Sequence, residues 1–252
     1  MADTIAEWHG YKLEKYEYRG REVIVQYPQS PAPGNPWVWR PCFFGSFDYA
    51  ETALAGLGWH IAQYQVNDLY GAPSAISLMK DFHGHITGRL GLSPKADMFG
   101  FSRGGLYAVN YAVAHPEDLA SMYLDAPVLD ITSWPGGLGA AARNGREWEE
   151  CKAVYGLSEE TAASFRGSPL HKAAALAETG IPLIIVAGDA DEAVPIGENT
   201  YPFVEAYEKK GGKCRLIVKP GVGHHPHSLE DPAPIVDCIL KAHAPERDGD
   251  CR

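Results

Sequence analysis

The chain has 252 residues, of which 45% are hydrophobic and 21% charged, a balance typical of a globular domain and one that excludes disorder for the bulk of the sequence. With 22 Lys and Arg residues against 32 Asp and Glu residues, the formal net charge is −10. Binding to nucleic acid or to an anionic membrane requires clustered cations, and the sequence has no basic run, so we expect neither partner.

The cysteines are spread along the chain without close CxxC spacing, which predicts reduced thiols rather than a disulfide framework or a zinc site. The first ten residues have neither the basic nor the apolar segment of a signal peptide, and no apolar stretch approaches the ~20 residues of a membrane-spanning helix. The sequence therefore predicts a cytoplasmic protein, with a removed leader left open. The five cysteines are Cys42, Cys151, Cys214, Cys238 and Cys251.

Apolar runs alternate with helical segments along the chain. Strands are predicted at 12–18, 22–27, 37–44, 59–66, 96–100, 121–125, 181–187 and 214–219. Helices are predicted at 49–57, 73–90, 103–115, 200–210 and 234–243, with Gly91 ending the long second helix. Strands joined in this way by helices indicate an open, mostly parallel α/β sheet with helices on both faces.

One segment breaks the alternation. Between Asp125 and Ile181 the sequence has no strand, only loop and short helical segments at 146–155, 158–165 and 169–178, the second capped by Ser158. A long excursion at the carboxyl edge of a sheet predicts a lid, residues 126–180, within a single domain that spans 1–252. An insertion without a functional role is the alternative.

The clearest chemical motif is GFSRGG at 100–105, where a predicted strand passes into a helix. A G-x-S-x-G turn at such a junction is tight, so small residues are needed two positions before and two after the serine. The turn would present the Ser102 hydroxyl beside a helix N-terminus, which stabilises negative charge. Ser102 is therefore the predicted nucleophile, and a plain turn serine is the alternative.

This strand, turn and helix unit resembles the α/β-hydrolase superfamily, and the resemblance covers roughly residues 23–240. It implies an acid and a histidine downstream of the serine, in that order. The segment GDADEAVP at 188–195 is similar to the acid loop of the superfamily, which makes Asp191 the implied acid. The Gly-His pair after the last strand resembles its histidine loop, which makes His224 the implied base.

Competing residues stay open around this triad. Asp189 is an alternative acid, and so is Asp125, which otherwise is expected to brace the lid loop. His225 and His227 lie close enough to His224 to suggest zinc, but no further ligand has the spacing of a zinc site, so we expect no metal and no cofactor. We expect His227 to pack against the loop or to hydrogen-bond within it.

The resemblance also implies an oxyanion hole, formed by the backbone N–H of Arg103 and by a second N–H after the third strand. The His-Gly pair that often supplies the second donor is missing here. The second donor is therefore expected from Phe44, Gly45 or Ser46.

An arginine directly after the nucleophile is unusual, and the Ser-Arg pair is similar to that of the glucuronoyl esterases. This similarity suggests that the Arg103 guanidinium supports the oxyanion or binds a substrate carboxylate. An ion pair with an acid such as Asp125 is the alternative. Near the expected mouth of the site, Arg40, Tyr70 and Trp134 are further candidates for substrate contact, because aromatic platforms suit sugars and aryl groups.

Together these residues predict a serine hydrolase that cleaves an ester through an acyl-enzyme. The expected substrate is a small-molecule or oligosaccharide ester, with a carbohydrate-linked or carboxylate-bearing ester favoured. A peptidase or amidase with the same triad is one alternative, since the triad chemistry is shared. A non-catalytic protein that uses the cleft only for binding is the other.

Overall fold

A nine-stranded sheet forms the centre of residues 4–244, the part of the chain that the computed structural model describes. The strands are β1 (Thr4–Trp8), β2 (Tyr11–Tyr18), β3 (Arg21–Tyr27), β4 (Trp37–Trp39), β5 (His60–Tyr64), β6 (Ala96–Phe101), β7 (Leu119–Asp125), β8 (Leu183–Gly188) and β9 (Cys214–Lys219). Their spatial order is β1-β2-β3-β5-β4-β6-β7-β8-β9. Pairing is antiparallel from β1 to β5 and parallel from β5 to β9.

Eight α-helices join or flank these strands within the described residues. They are α1 (Tyr49–Gly56), α2 (Pro73–Leu90), α3 (Gly104–Ala114), α4 (Gly145–Tyr155), α5 (Glu159–Ala162), α6 (Ala173–Glu178), α7 (Thr200–Glu208) and α8 (Ala233–Ala242). None of the helices in residues 4–244 combines the length and the apolar character needed to cross a lipid bilayer.

Alternating strand side chains divide the core into two clusters, one on each face of the sheet. In β4, Trp37 and Trp39 belong to one cluster and Val38 belongs to the other. Residues of α2, α3, α6 and α7 pack in the first cluster, whereas residues of α1 and α8 pack in the second. The predicted open, mostly parallel sheet with helices on both faces is confirmed.

Two strands, β4 and β1, differ from the sequence prediction for local reasons. The strand predicted at 37–44 ends at Trp39, because Pro41 has no N–H to pair and Phe43 has a φ of +60°. Strand β1 was not predicted, because it is an edge strand whose Ile5 is 66% exposed and no buried face marks it in the sequence. Helix 73–90 is as predicted, and Gly91 after it has a φ of +62°.

The excursion between β7 and β8 contains α4, α5 and α6, and no strand among its described residues. Ser158 caps α5 as predicted: its hydroxyl accepts from the Thr161 N–H at 3.2 Å, while the Thr161 hydroxyl accepts from the Ser158 N–H at 2.9 Å. The role of residues 126–180 as a lid stays a prediction. Four of the cysteines are free thiols, and Cys251 lies outside the described residues.

Candidate active site

Ser102 lies on the sharp turn between β6 and α3. Its backbone φ is +47°, a left-handed conformation that residues other than glycine rarely adopt. The Ser102 N–H donates to the Asp125 carbonyl at 2.8 Å, and the Ser102 carbonyl accepts from Gly105 and Val128 at 2.9 Å each. These three hydrogen bonds hold a strained backbone in place and so fix the direction of the hydroxyl.

Close packing requires two glycines of the motif. A Cβ on Gly100 would lie 2.8 Å from the nearest α3 side chain, and a Cβ on Gly105 would lie 2.7 Å from the Pro127 Cβ. Gly104 differs, since the nearest atom to its Cβ would be the Cys42 Cβ at 3.8 Å, an ordinary contact. The crowding predicted two positions after the serine therefore falls one residue later, at Gly105.

Ser102 is joined to a histidine and, through it, to an acid. Ser102 Oγ lies 2.9 Å from His224 Nε2, and His224 Nδ1 lies 2.7 Å from Asp191 Oδ2. His224 follows β9 and Asp191 follows β8, and these neighbouring parallel strands bring both side chains to the carboxyl edge of the sheet. When the carboxylate accepts a hydrogen bond from Nδ1–H, Nε2 has the lone pair that can accept the proton of the Ser102 hydroxyl.

The Asp191 carboxylate is buried and fully engaged. Its Oδ1 accepts from the N–H groups of Ala193 and Val194 at 2.9 and 2.8 Å, so the carboxylate is oriented by its own loop. Asp189, the alternative acid nearby, instead accepts from the Gly221 N–H at 2.6 Å.

Asp125, the other alternative acid, forms a second histidine–carboxylate pair. Its Oδ1 lies 2.7 Å from His227 Nδ1, and its Oδ2 accepts from the Ser228 N–H at 2.8 Å and from the Tyr123 hydroxyl. Asp125 thus braces the histidine loop rather than the lid loop. His225 is not part of this pair, and its ring stacks on that of Phe47 at 5.5 Å between centroids. Partial desolvation of the ring lowers the pKa of His225.

Of the three candidates for the second oxyanion donor, two have an N–H already in use. The Phe44 N–H donates to Gln63 Oε1 at 2.7 Å, and the Ser46 N–H donates to the Phe43 carbonyl at 3.1 Å. Gly45 has an N–H that no described residue accepts. The hydrogen bonds argue against Phe44 and Ser46 and leave Gly45 from the predicted set.

Sequence reasoning missed one further N–H, that of Cys42. The Arg40 N–H extends the strand ladder to the Ala62 carbonyl at 2.9 Å and Pro41 has no N–H, so Cys42 carries the first N–H beyond β4 that no described residue accepts. Cys42 is buried beside the start of α3, within contact distance of Gly104. Burial raises the pKa of its thiol to about 12, so the side chain is a neutral thiol near pH 7. The proline was the available sequence signal.

The Arg103 guanidinium is directed to the excursion rather than to Asp125. It pairs with Glu147 of α4 at 2.9 Å, and the two side chains are only 16% and 24% exposed. It also lies over the rings of Phe43 and Tyr70, at 5.7 and 5.4 Å from their centroids. Arg103 therefore links the nucleophile turn to α4.

Two of the predicted substrate contacts are buried. Arg40 is fully buried, where it pairs with Glu51 and donates to the Ser46 carbonyl at 2.6 Å, so its guanidinium has no surface for a ligand. Tyr70 is also fully buried, and its hydroxyl donates to Glu150 at 2.7 Å. This burial argues against substrate contact by either residue. Trp134 is half-buried and packs against the core.

A polar cleft of about 410 Å³ adjoins the nucleophile turn on the side of Arg103. It is lined by Asn67, Asp68, Arg103, Asn144, Arg146, Glu147 and Glu150. Two larger cavities, of about 630 and 740 Å³, are lined by neither Ser102 nor His224. The smaller cleft meets the Ser102 turn only through Arg103, without Ser102 or His224 in its lining, and all seven of its lining residues are polar or charged.

No protein-family model and no curated protein sequence matches the chain. Solved structures are similar in fold: a Mycobacterium tuberculosis puromycin-hydrolyzing peptidase at TM-score 0.67 and 15% identity, and Porphyromonas gingivalis dipeptidyl peptidase 4 at TM-score 0.67 and 16% identity. These matches cover 91% and 94% of this chain but only 37% and 35% of those proteins, so the chain spans about a third of their length.

An S-formylglutathione hydrolase from Agrobacterium tumefaciens is similar over nearly its whole length. The match covers 96% of this chain and 98% of that one, at TM-score 0.63 and 19% identity. At such identities the likeness concerns architecture alone. With the sheet order described above, it shows that this chain has the α/β-hydrolase fold.

Proposed function

We propose that the protein is a serine hydrolase that cleaves carboxylic esters through an acyl-enzyme. The observation that carries the proposal is the hydrogen-bonded chain from Ser102 Oγ to His224 Nε2 at 2.9 Å and from His224 Nδ1 to Asp191 Oδ2 at 2.7 Å. A nucleophile, a base in reach of it and an acid that orients the base are the parts that acyl transfer requires.

In the first half-reaction Ser102 Oγ attacks the ester carbonyl carbon while His224 Nε2 takes the hydroxyl proton. The Asp191 carboxylate stabilises the imidazolium that forms. The tetrahedral intermediate then collapses, the bond to the alcohol oxygen breaks, and the imidazolium returns its proton to that alcohol. The acyl group remains on Ser102.

In the second half-reaction water takes the place of the alcohol. His224 accepts a proton from the water as it attacks the acyl carbon, and the collapse of the second intermediate returns that proton to Ser102 Oγ. The products are a carboxylic acid and the free enzyme. The same three residues serve both steps because deacylation reverses the roles of acylation.

For the oxyanion we propose the backbone N–H groups of Arg103 and Cys42 as donors, with Gly45 as the remaining member of the predicted set. None of these three N–H groups has an acceptor among the described residues, and Cys42 lies against the start of α3. A preformed donor of this kind contributes about 10²–10³ in kcat. An N–H without a described acceptor, on a buried residue beside the start of α3, is the feature that supports the choice of Cys42.

The polar cleft supports a small, polar ester rather than one with a long alkyl chain, since its walls would solvate hydroxyl or carboxylate groups. We retain Arg103 as the contact for a substrate carboxylate, which would compete with Glu147 for the guanidinium. Carbohydrate-linked esters fit the same polar cleft, and Trp134 stays a predicted contact for them.

The test is a panel of neutral, anionic and sugar acetates, each paired with the matching amide, and assayed with wild type and Ser102→Ala. We expect ester hydrolysis by wild type and a loss of at least about 10⁴ in Ser102→Ala, because triad members act as a unit. Ser77→Ala, on an exposed face of α2, is the matched control and keeps the wild-type rate.

A fluorophosphonate probe adds a readout that does not depend on finding the substrate. It should label wild type and Ser77→Ala, but not Ser102→Ala. Labelling of Ser102→Ala, or ester turnover within about tenfold of wild type in that variant, would overturn the serine-hydrolase proposal. Faster cleavage of the amides than of the esters would instead identify an amidase.

A further inference from the structure

Three histidines of the loop after β9 lie together beside Ser102, and the proposed reaction uses only one of them. The ring centroids of His224, His225 and His227 are 4.8–5.0 Å apart in every pair. Each ring offers one nitrogen such that the three nitrogens all lie within 4.8 Å of one another. Neutral imidazole nitrogens are the ligands that Zn²⁺ and similar transition ions prefer.

Two of the three rings already have the second interaction that metal-binding histidines make. Nδ1 of His224 lies 2.7 Å from Asp191, and Nδ1 of His227 lies 2.7 Å from Asp125. A histidine that ligates a metal almost always donates its other N–H to a carboxylate or carbonyl, which fixes the tautomer and makes the ligand more basic. In both rings the lone pair is therefore on Nε2.

Of the nitrogens that remain, His224 Nε2 has one partner, the Ser102 hydroxyl at 2.9 Å. Nε2 of His227 has no hydrogen-bond partner among residues 4–244, nor does either nitrogen of His225, whose side chain is exposed. Tetrahedral zinc with Zn–N bonds of about 2.0–2.1 Å places ligand nitrogens about 3.3 Å apart. His225 can supply most of that approach, because its side chain is exposed and only ring contacts, with Phe47, His224 and His227, hold it.

We propose that His224, His225 and His227 form an inhibitory binding site for Zn²⁺. Three protein ligands and a water complete an open zinc site, so a fourth protein ligand, which the sequence lacks, is not required. Zinc on His224 Nε2 occupies the lone pair that would accept the Ser102 proton, and the nucleophile loses its base. The inhibition rests on the proposed function, whereas the binding does not.

The selectivity follows from the ligand set. The cluster consists of three histidines, and the carboxylates of Asp191 and Asp125 are already paired with Nδ1 of His224 and His227. Mg²⁺ and Ca²⁺ take oxygen ligands and gain nothing from three imidazoles. The site should therefore distinguish Zn²⁺ from both hard cations.

Binding is tested by calorimetric titration of ZnCl₂ into the full chain, first dialysed against a chelator. We expect one site in wild type, a Kd at least about tenfold weaker in His225→Ala, and no heat with MgCl₂. His115→Ala is the matched control, because His115 belongs to the other described cluster of metal-ligating side chains, with Glu117 and Asp118. Its Kd should equal that of wild type.

Inhibition is measured in parallel as the rate of fluorophosphonate labelling at increasing ZnCl₂. Wild type should lose half its rate near the calorimetric Kd and recover with EDTA, and His225→Ala should need at least about tenfold more zinc. Equal Kd values for wild type and His225→Ala, or a loss of binding in His115→Ala, would overturn the site. Binding that depends on His225 in a chain that no probe labels supports the site and rejects the hydrolase proposal. A labelling rate that zinc leaves unchanged supports the hydrolase proposal and overturns the inhibitory site.

Discussion

His224–Asp191 and His227–Asp125 are two histidine–carboxylate pairs with their histidines on one loop, and in each pair Nδ1 lies 2.7 Å from a carboxylate oxygen. They differ in what the second ring nitrogen meets. Nε2 of His224 lies 2.9 Å from Ser102 Oγ, whereas Nε2 of His227 meets no hydrogen-bond partner among the described residues. The proposed acyl transfer therefore depends on the group that Nε2 of the histidine meets, since both pairs have the same contact between Nδ1 and a carboxylate.

The second carboxylate oxygens differ in a related way. In Asp191 this oxygen accepts from Ala193 and Val194 of its own loop, which orients the acid without tying it to other elements. In Asp125 it accepts from Ser228 and Tyr123, which connects the histidine loop to β7. We therefore expect changes in the first pair to affect rate, and changes in the second to affect the free energy of unfolding.

Replacing the base gives the largest expected effect. His224→Gln should lower kcat on an activated aryl acetate by at least about 10⁴, because Ser102 then has no proton acceptor. The melting temperature should change little, since the glutamine keeps a polar side chain at a partly exposed position. His227→Gln is the matched variant, and its kcat should stay within about tenfold of wild type. A larger loss of rate in His227→Gln than in His224→Gln would mean that the two pairs have the opposite roles.

Replacing the acid should cost somewhat less. Asp191→Asn should lower kcat by about 10³–10⁴ with little change in KM, because the amide favours the tautomer that carries the proton on Nε2 and so blocks it as a base. Steady-state kinetics that separate kcat from KM provide the measurement. Asp189→Asn changes the neighbouring acid of the same loop and should leave both constants within about twofold. A greater loss of kcat in Asp189→Asn would reassign the acid.

The second pair is tested through stability. Asp125→Asn should lower the free energy of unfolding by about 1–3 kcal/mol, because it leaves buried donors on His227 and Ser228 without a full acceptor. Urea unfolding followed by tryptophan fluorescence measures this, and kcat at low temperature should stay within about tenfold of wild type. A loss of kcat as large as that of Asp191→Asn, at unchanged stability, would give Asp125 a catalytic role.

Some of these features could be predicted from the sequence and others could not. The fold and the Ser102 turn could be predicted from the order of strands and helices, and the resemblance to the α/β-hydrolase superfamily implied the contacts among Ser102, His224 and Asp191. The Arg103–Glu147 pair could not, since the excursion has no strand register that relates it to the sheet. The burial of Arg40 could not be predicted either. A charged side chain is expected at the surface, yet Arg40 is fully buried.

The type of a residue does not show whether its backbone N–H is available as a hydrogen-bond donor. The second oxyanion donor that we propose is a backbone N–H, which every residue except proline possesses, so side-chain chemistry does not distinguish Cys42 from Phe44. Only the hydrogen bond from the Phe44 N–H to Gln63 separates them.

A third histidine–carboxylate pair, at the opposite end of β6 from Ser102, gives the smallest expected effect. His243 Nε2 lies 3.0 Å from both oxygens of the buried Asp97 carboxylate, and this hydrogen bond raises the pKa of His243 above its ordinary value. A histidine whose pKa is higher in the folded state stabilises that state fully below its unfolded pKa. The contribution is lost as the pH rises through the folded pKa.

His243→Gln should therefore lower the free energy of unfolding more at about pH 5.5 than at about pH 9, because only the protonated ring contributes the charge that the buried Asp97 attracts. Urea unfolding at both pH values measures the difference, with His171→Gln, an exposed histidine, as the control. An equal loss at both pH values would mean that the ring acts through packing and its neutral hydrogen bond alone. In that case the three pairs would differ only in where they lie in the fold, and the charge of the histidine would not contribute to the difference.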